Sequence, residues 1–550
     1  MLNTPRAYGG MVTAPHHLAA EAGLGILREG GNAVEAMLAA AAAIAVVYPH
    51  MNSLGGDGFW LISVPGTAPR AIDASGRAGA GVTPELYRGR GLAEIPARGP
   101  LAANTVPGAP AGWSLALAQA AALGGRLPLA RLLEPAVHYA EAGAPVTRSL
   151  FDNTTAKRDE LEAQPGFAET FLSGGPGGPG GPGGPGGVVP AVGSRFRQPA
   201  LAATLRRLAE AGLDDFYRGE VARALAADLT AAGAPITAAD LETGAAEEVA
   251  PLCLDLKLAG RPEAGGARVY NLPPPTQGLA SLIILGLFDR LAVAEAEGFD
   301  HLHGLVEATK QAFLLRDREV ADPGAMTAPA QDFLDAGRLD ALAAAIDRRR
   351  ALPWPQPAPG PGDTIWMATA DAEGRMVSYI QSIYWEFGSG VVSPQTGVLL
   401  QNRGSSFSLD PAARRALAPG RKPFHTLNPA LAVFGDGRVL AYGCMGGEGQ
   451  PQTQSAVFTR YACFGQELQA AVTAPRWLLG RAWGAESTPL KLEGRFPAEL
   501  IAALAEAGHD VEPVAGITDL MGHAGAIVRH DDGLLEGASD PRSDGAVAAF

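Results

Sequence analysis

A proline- and glycine-rich segment, residues 351–362, divides the chain into two parts with different patterns. Proline lacks the backbone N–H and fixes φ, so this segment cannot continue a helix or enter the interior of a sheet. Helical periodicity prevails before the segment, and short apolar or alternating runs between glycine-containing turns prevail after it. Because further helices follow those runs, the pattern predicts sheets stacked between helical layers.

Hydrophobic periodicity also predicts the individual elements. Between residues 18 and 47 it predicts two helices around a Gly30-Gly31-Asn32 turn, followed by a buried strand over 59–64. Further helices are predicted over 113–122, 129–143, 198–211, 221–232, 279–293 and 301–315. After the proline-rich segment, strands are predicted over 364–370, 376–383, 391–393, 397–400, 430–434 and 439–442, and helices over 450–463, 467–473 and 497–507.

The charge balance restricts the classes of partner. The chain carries 43 Lys and Arg against 57 Asp and Glu, a net charge of −14. Because phosphate groups are repelled by such a surface, we expect neither a nucleic acid nor a membrane as partner. The longest uncharged apolar run, residues 36–47, is shorter than the roughly 20 residues of a membrane span and predicts a buried helix. The opening residues lack the pattern of a secretory signal, so we expect a cytoplasmic protein.

Cysteine and histidine usage predicts no metal site, and no cofactor motif is found. The chain has three cysteines, Cys253, Cys444 and Cys463. An odd number without a C-x-x-C pair supports neither a disulfide framework nor a zinc or iron–sulfur site. The nearest histidine pairs, His16/His17 and His301/His303, lack the i, i+4 spacing of helical metal ligands.

Residues 174–187 repeat Gly-Gly-Pro four times. The repeat formally matches both a collagen triplet and a G-x-G-x-x-G fingerprint. A triple helix needs many more triplets, however, and a dinucleotide fingerprint needs a strand before it and a helix after it. We interpret the segment as a surface insertion and assign it no function.

A threonine stands directly after the proline-rich segment, in Gly362-Asp363-Thr364-Ile365-Trp366, where a buried strand is predicted to begin. If the bond before Thr364 is cut, its new α-amine, with a pKa of about 8, becomes a general base for its own hydroxyl. Asp363 would assist the N-to-O acyl shift that severs the chain. From these residues alone, an ordinary Asp-Thr turn at the start of a strand remains an alternative.

Short motifs recur along nearly the whole chain. Residues 26–36 read I-L-R-E-G-G-N-A-V-E-A, and residues 54–59 read L-G-G-D-G-F. Others lie at 106–113, 272–276, 387–390, 445–447, 474–476 and 537–542. In sequence and in order they resemble the γ-glutamyltransferase family of N-terminal-nucleophile hydrolases, in which the first two motifs read I-L-x-x-G-G-N-A-V-D-A and L-G-G-G-G-F.

The resemblance implies an α+β fold, a four-layer αββα sandwich, and self-cleavage between Asp363 and Thr364. The products would be a helix-rich large subunit, residues 1–363, and a small catalytic subunit, residues 364–550. The proline-rich arm would let the severed end move away. Heterodimers of this kind could associate further into a dimer of heterodimers.

The same resemblance assigns the catalytic groups. Thr364 would be the nucleophile, and Ser382 would hydrogen-bond it. Gly446 and Gly447 match a glycine pair whose backbone N–H groups form the oxyanion hole, a role that suits glycine because an amide can then approach the oxyanion closely. A plain glycine turn and an ordinary strand serine are the alternatives.

Several positions depart from the family pattern around the nucleophile and the donor site. The family's T-T-H start is replaced in this chain by Thr364-Ile365-Trp366. The arginine and glutamate that bind a glutamyl α-carboxylate are replaced by Ser75-Gly76, with Arg77 two positions beyond the first. The family's means of holding a glutamyl group is therefore altered, and Arg77 remains a candidate for binding the substrate.

The remaining contacts to the donor are altered as well. An asparagine that contacts the donor carboxylate becomes Tyr384, and the residues that hold the α-ammonium become Arg403 and Ser406. A guanidinium repels an amine and pairs with a carboxylate, so we expect an anionic substrate without an ammonium group. The family's paired serines become His425 and Thr426, which could donate hydrogen bonds to it. A surface arginine at 403 is the alternative.

Trp366, Tyr384 and Trp385 would narrow the pocket, although core packing would explain them equally well. The segments around them resemble the branch of the family that hydrolyses oxamate to oxalate and ammonia. We therefore expect an amidohydrolase for a small acid amide. The alternatives are a γ-glutamyltransferase or glutathione hydrolase, an amidase like the cephalosporin acylases, and an unprocessed, non-enzymatic binding protein of the same fold.

Overall fold

The computed structural model describes residues 3–173, 187–354, 363–480 and 488–550, and only the backbone of Asp363. The predicted surface insertion, apart from Gly187, lies outside these ranges. So does the proline-rich arm after Trp354.

The bounds of the α-helices and strands in the described ranges are as follows. The α-helices are α1 His17–Arg28, α2 Ala33–Val47, α3 Pro84–Arg88, α4 Ala109–Ala122, α5 Leu129–Ala142, α6 Arg148–Leu161, α7 Phe167–Phe171, α8 Pro199–Ala211, α9 Asp215–Arg218, α10 Glu220–Ala232, α11 Ala238–Glu242, α12 Gly278–Leu291, α13 Phe299–Glu319, α14 Ala336–Ala344, α15 Gln450–Phe458, α16 Leu468–Thr473 and α17 Ala498–Glu506. The strands are β1 Arg6–Ala7, β2 Gly10–Ala14, β3 Asp57–Ser63, β4 Arg70–Ala74, β5 Ala144–Pro145, β6 Arg195–Phe196, β7 Glu247–Val249, β8 Leu252–Leu256, β9 Ala267–Asn271, β10 Asp363–Asp371, β11 Met376–Tyr384, β12 Ala430–Phe434, β13 Val439–Cys444, β14 Trp477–Leu479, β15 Leu490–Glu493, β16 Val511–Val514, β17 Ala524–Arg529, β18 Leu535–Ser539 and β19 Ala546–Ala549.

Two large antiparallel sheets dominate the described ranges. The first, which we call the nucleophile sheet, has the strand order β19-β2-β10-β11-β3-β4-β7. The second, which we call the glycine sheet, has the order β1-β18-β17-β13-β12-β9-β8. Both sheets draw strands from each side of the proline-rich segment, so neither predicted subunit could complete its sheets alone.

Three apolar layers hold the sheets and helices together. One layer lies between the nucleophile sheet and helices that include α1, α2, α4, α5 and α8. Another lies between the glycine sheet and helices that include α12, α13 and α15. Between the two sheets lies the third, which includes Phe59, Trp366, Ile380, Leu431 and Ile527. The arrangement is the predicted α+β sandwich of four layers, αββα, which is therefore confirmed.

Helix α2 illustrates how the sequence fixes an element that is buried on every side. All fifteen residues of α2 are buried, as predicted for the apolar run at 36–47. Its start is set by a capping box, in which the Asn32 side chain accepts from the amide of Glu35 and the Glu35 carboxylate accepts from the amide of Asn32. No described helix has both the length and the apolar character needed to cross a membrane.

Some predicted elements were wrong or had different bounds. Residues 391–393 and 397–400 are not strands but a loop closed by one bridge between Val392 and Leu399. The helix predicted to start at residue 113 begins four residues earlier, at Ala109, with a proline in its first turn. Helix α15 ends at Phe458 and continues as a π-helical turn, Thr459–Cys463. Strands β4 and β9 were not predicted.

We expect Gly443→Ala to destabilise the contact between the sheets. A Cβ at Gly443 would lie 2.2 Å from Cδ1 of Trp366, whose ring fills the space above that glycine. Overpacking of this kind costs about 1–3 kcal/mol, so the midpoint of thermal unfolding of a chain of this length should fall by about 1–3 °C. Gly81→Ala is the matched control, because its Cβ would meet nothing within 4 Å. Equal midpoints for the two variants would contradict the described packing of Trp366.

Candidate active site

Thr364 lies at the start of β10, next to the end of β11. The ladder pairs Asp363 with Tyr384 and Ile365 with Gln381, with an irregularity between them that contains Thr364. Thr364 is fully buried, and its Oγ1 accepts a long hydrogen bond of 3.4 Å from Nε2 of Gln450. Gln450 begins α15 in the glycine sheet's half of the molecule. The predicted nucleophile is therefore located where the two halves meet.

Ser382 and Tyr384 lie on β11, beside this position. Ser382 Oγ accepts hydrogen bonds from the amide of Tyr384 at 2.7 Å and from Nη2 of Arg403 at 3.2 Å. Tyr384 has a φ of +83°, an uncommon value for a residue with a side chain. Such a conformation costs on the order of 1–3 kcal/mol and persists only where the surroundings fix it. The strand pairing thus sets both residues rigidly beside the start of β10.

Gly446 and Gly447 follow the end of β13 and precede α15. Their φ values, +121° and +53°, lie in the region that glycine adopts without a steric penalty. Nε2 of Gln277 donates to the carbonyl of Gly447 at 2.9 Å and to the carbonyl of Thr426 at 2.6 Å. Nη1 of Arg316 donates to Oε1 of Gln277 at 3.0 Å and so fixes that amide. Gln277 therefore ties the glycine pair to the segment that carries His425 and Thr426.

Arg403 is the cation at the centre of the predicted binding residues. Its side chain is 0% exposed. Nη1 donates to Thr426 Oγ1 at 3.3 Å, and the guanidinium carbon lies 4.1 Å from the centroid of the Tyr384 ring. Burial lowers the pKa of Arg403 to about 10, so the group stays charged at neutral pH.

The charge of Arg403 has no ion-pair partner in the described part of the chain. No described carboxylate lies within 4.0 Å of the guanidinium, and Nε has no hydrogen-bond partner there. The charge of Asp57 acts on Arg403 without being in contact with it. A buried cation without a counter-ion is costly, because it has lost its hydration without gaining a paired charge. The arrangement is therefore suited to an anionic ligand.

His425 is also buried and faces an acid that the sequence did not single out. Nε2 of His425 lies 3.4 Å from Oδ2 of Asp57, and neither ring nitrogen has an aligned hydrogen-bond partner among the described residues. The ring packs edge-on against Phe59. Burial, with the nearby charges of Arg403 and Lys422, holds the pKa of His425 well below its usual range. His425 is therefore neutral.

Ser406 and Arg77 form their contacts with residues other than the nucleophile. Ser406 is half-buried, donates to the carbonyl of Phe424 at 3.2 Å, and lines a cavity of about 550 Å³ together with Tyr384. Arg77 is 45% exposed and forms an ion pair of 2.7 Å with Glu247. The structure thus brings Arg403, Tyr384, His425 and Thr426 together with Ser382, and does not bring Arg77 to them.

The two tryptophans expected to narrow the pocket take different positions. Trp366 lies in the apolar layer between the sheets and donates from Nε1 to Ser378 Oγ at 2.9 Å. It is therefore part of the core. Trp385 stacks with the guanidinium of Arg98, whose carbon lies 5.3 Å from the ring centroid.

One described group has the residue types of a metal site. The ligand atoms of His303, Glu307 and His509 lie within 4.8 Å of one another. Nδ1 of His303 is 2.9 Å from Nε2 of His509, and Glu307 Oε1 is 2.7 Å from the ammonium of Lys310. These groups therefore satisfy each other, and the lysine would oppose a cation.

Gln277, Gln450 and Asp57 were the site residues that sequence reasoning missed, since a single glutamine or aspartate has no distinctive spacing.

Comparisons with known proteins show similarity over the whole chain. The family model described as gamma-glutamyltranspeptidase matches residues 19–550. The oxamate amidohydrolase proenzyme of Klebsiella pneumoniae is 55% identical over 98% of both chains. The glutathione hydrolase-like YwrD proenzyme of Bacillus subtilis is 40% identical over 98% of both chains. The crystal structure of cephalosporin acylase from Bacillus halodurans has a TM-score of 0.88 at 35% identity, covering 100% of this chain and 97% of that chain. Because the family match spans nearly all 550 residues, the chain belongs to the gamma-glutamyltranspeptidase family.

Proposed function

We propose that this protein is a self-processing amidohydrolase for a small amide that carries a carboxylate, with oxamate as the favoured substrate. One observation carries the proposal: Arg403 is buried and charged beside Ser382, and it lacks an ionic partner among the described residues. The 55% identity with an oxamate amidohydrolase proenzyme supports the choice of substrate. A glutamyl donor would place its α-ammonium against this guanidinium, which disfavours a transferase of the usual kind.

Processing precedes catalysis in this proposal. The Thr364 hydroxyl attacks the carbonyl carbon of Asp363, the peptide bond shifts to an ester, and water hydrolyses that ester. The products are the large subunit, residues 1–363, and the small subunit, residues 364–550. Both stay together, because each large sheet contains strands from both.

Hydrolysis of the substrate then uses the freed amine. The amine of Thr364 accepts the proton of its own hydroxyl, and Oγ1 attacks the amide carbon while the backbone N–H groups of Gly446 and Gly447 stabilise the oxyanion. Ammonia leaves with a proton returned by the amine, and water attacks the resulting ester to release the acid. Arg403 binds the substrate carboxylate, with Thr426 and Ser382 orienting the guanidinium. Arg77 has no part in this scheme, because Glu247 holds it at the surface.

Thr364→Ala is expected to abolish both self-cleavage and ammonia release from oxamate, since it removes the one hydroxyl that serves both reactions. The wild-type protein should give two bands on a denaturing gel in place of the 56.4 kDa chain. Hydrolysis should fall by about 10⁴-fold or more. Thr364→Ser is the matched control and should retain cleavage at a reduced rate. A wild-type chain that stays intact would favour a binding protein over an enzyme.

Arg403→Met is expected to lower kcat/KM for oxamate by about 100-fold or more, equivalent to about 2.7 kcal/mol, because a buried charge-assisted pair is lost. Self-cleavage should persist, since it involves no substrate carboxylate. Arg268→Met, at an exposed arginine paired with Asp255, is the control. If cleaved wild-type protein releases no ammonia from oxamate, glutaryl and γ-glutamyl amides become the substrates to test. Activity on those amides would identify an acylase or a glutathione hydrolase instead.

A further inference from the structure

Asp57 is a buried carboxylate to which the proposed mechanism gives no role. It begins β3, and the strand ladder pairs it with Ser382, so both side chains lie on the same face of the nucleophile sheet. Phe59, two residues farther along β3 and therefore on the same face, packs in the apolar layer between the sheets. The face that carries Asp57 is thus turned toward the glycine sheet. Asp57 is fully buried. The family motif L-G-G-G-G-F has glycine at this position, so this chain departs from the motif in carrying a carboxylate here.

One oxygen of Asp57 is held in a built cradle. Oδ1 accepts from the amide of Gly76 at 2.9 Å, the amide of Gly108 at 3.1 Å and Nε2 of Gln401 at 3.1 Å. A Cβ at Gly76 would lie 1.5 Å from the carbonyl oxygen of Val106, so a side chain there would prevent this approach of the backbone. Gly76 stands where the family has one of the two residues that bind a glutamyl α-carboxylate. In this chain its backbone amide holds Asp57 instead.

The other oxygen of Asp57 is unused. Oδ2 has no hydrogen-bond partner among the described residues and lies 3.4 Å from Nε2 of the neutral His425. A small rotation of the imidazole would let this nitrogen accept a hydrogen bond from a protonated Oδ2. Asp57 is also the carboxylate whose negative charge acts on Arg403. The pocket therefore contains one cation, one acid, and a neutral imidazole placed to accept a hydrogen bond from that acid when it is protonated.

We propose that Asp57 is the proton-linked counter-charge of Arg403. It is negative while the pocket is empty, and it takes up one proton from solvent when a substrate carboxylate binds to Arg403. This inference rests on the function proposed above. The reason is charge balance in a buried site: guanidinium, substrate carboxylate and ionised Asp57 would leave one uncompensated negative charge, whereas protonated Asp57 leaves none.

The other side chains around Asp57 and His425 do not take up this proton. The titratable or charged groups that face Asp57 and His425 are Arg403, Asp73, Lys422, Tyr217 and Tyr379, together with the amine that cleavage creates at Thr364. Lys422 and Asp73 form an ion pair of 2.7 Å and compensate each other. Burial raises the pKa of both tyrosines far above neutrality.

The pH dependence follows from the same charges. Burial raises the pKa of Asp57 to about 7 in the empty pocket. A bound carboxylate raises it further, so protonated Asp57 and the anion favour each other's binding. Above pH 7 the dissociation constant of the anion should therefore increase about tenfold per pH unit. A protonated Thr364 amine also favours a bound anion, so its proton uptake must be separated from that of Asp57. On kcat the amine acts in the opposite direction, because it must be deprotonated to accept the hydroxyl proton.

The experiment measures binding of oxalate, the product of the proposed reaction, to the cleaved protein by calorimetry between pH 6 and 9. Repeating it in buffers of different ionisation enthalpy counts the protons taken up. We expect the wild type to take up about one proton more per oxalate near pH 8 than Asp57→Asn, which retains the Thr364 amine. Asp57→Asn preserves the cradle and should bind with an affinity that depends less steeply on pH, and about 100-fold more tightly than the wild type at pH 9.

Tighter binding distinguishes this role from a structural one, since a damaged pocket would bind more weakly. Asp255→Asn, at the exposed partner of Arg268, is the matched control and should leave the profile unchanged. A wild-type proton count that does not exceed that of Asp57→Asn would overturn the proposal, as would an unchanged pH profile in that variant. If Asp57→Asn fails to cleave itself, the same comparison is made between Thr364→Ala and the double variant Thr364→Ala/Asp57→Asn, neither of which has the amine. If the wild type neither hydrolyses oxamate nor binds oxalate, it is the proposed function that fails.

Discussion

The site is organised around a guanidinium that is buried without a carboxylate in contact with it. Arg403 contacts the hydroxyls of Ser382 and Thr426 and the face of the Tyr384 ring. Ser382 and Tyr384 lie on β11, and Thr426 lies just before β12. Hydroxyls and an aromatic face orient a cation but do not neutralise it. The fold therefore retains a charge that a bound anion can compensate.

The antiparallel ladders explain how these groups come together. Pairing of β10 with β11, and of β11 with β3, places the start of one strand beside the end of the next. Thr364, Ser382 and Asp57 consequently form a row across the nucleophile sheet. The facing sheet supplies Gly446 and Gly447, and Gln277 ties them to Thr426 through two backbone carbonyls. Trp366 packs in the apolar layer between the two sheets and so helps to hold them together.

Much of the arrangement could be predicted from the sequence. The αββα sandwich, the buried helix at 36–47 and most of the long elements follow from hydrophobic periodicity and from motifs that cover nearly the whole chain. The group formed by Arg403, Tyr384, His425 and Thr426 could be selected because these residues depart from a known pattern. Arg77 could not be placed, since an arginine next to a glycine turn gives no indication of which acid it will meet, and in the folded chain that acid is Glu247.

By itself, the sequence determined the fold class, because this depends on local periodicity and on residue types in order. From the same information it predicted the nucleophile and the replacement of residues that bind an ammonium group by an arginine. Only the tertiary structure decided which polar groups share the pocket. Asp57, Gln277 and Gln450 are separated from Thr364 by between 86 and 307 positions. Their roles depend on the register of strand pairing and on glycines that let backbone amides approach the side chains closely. Neither can be recognised from the sequence alone.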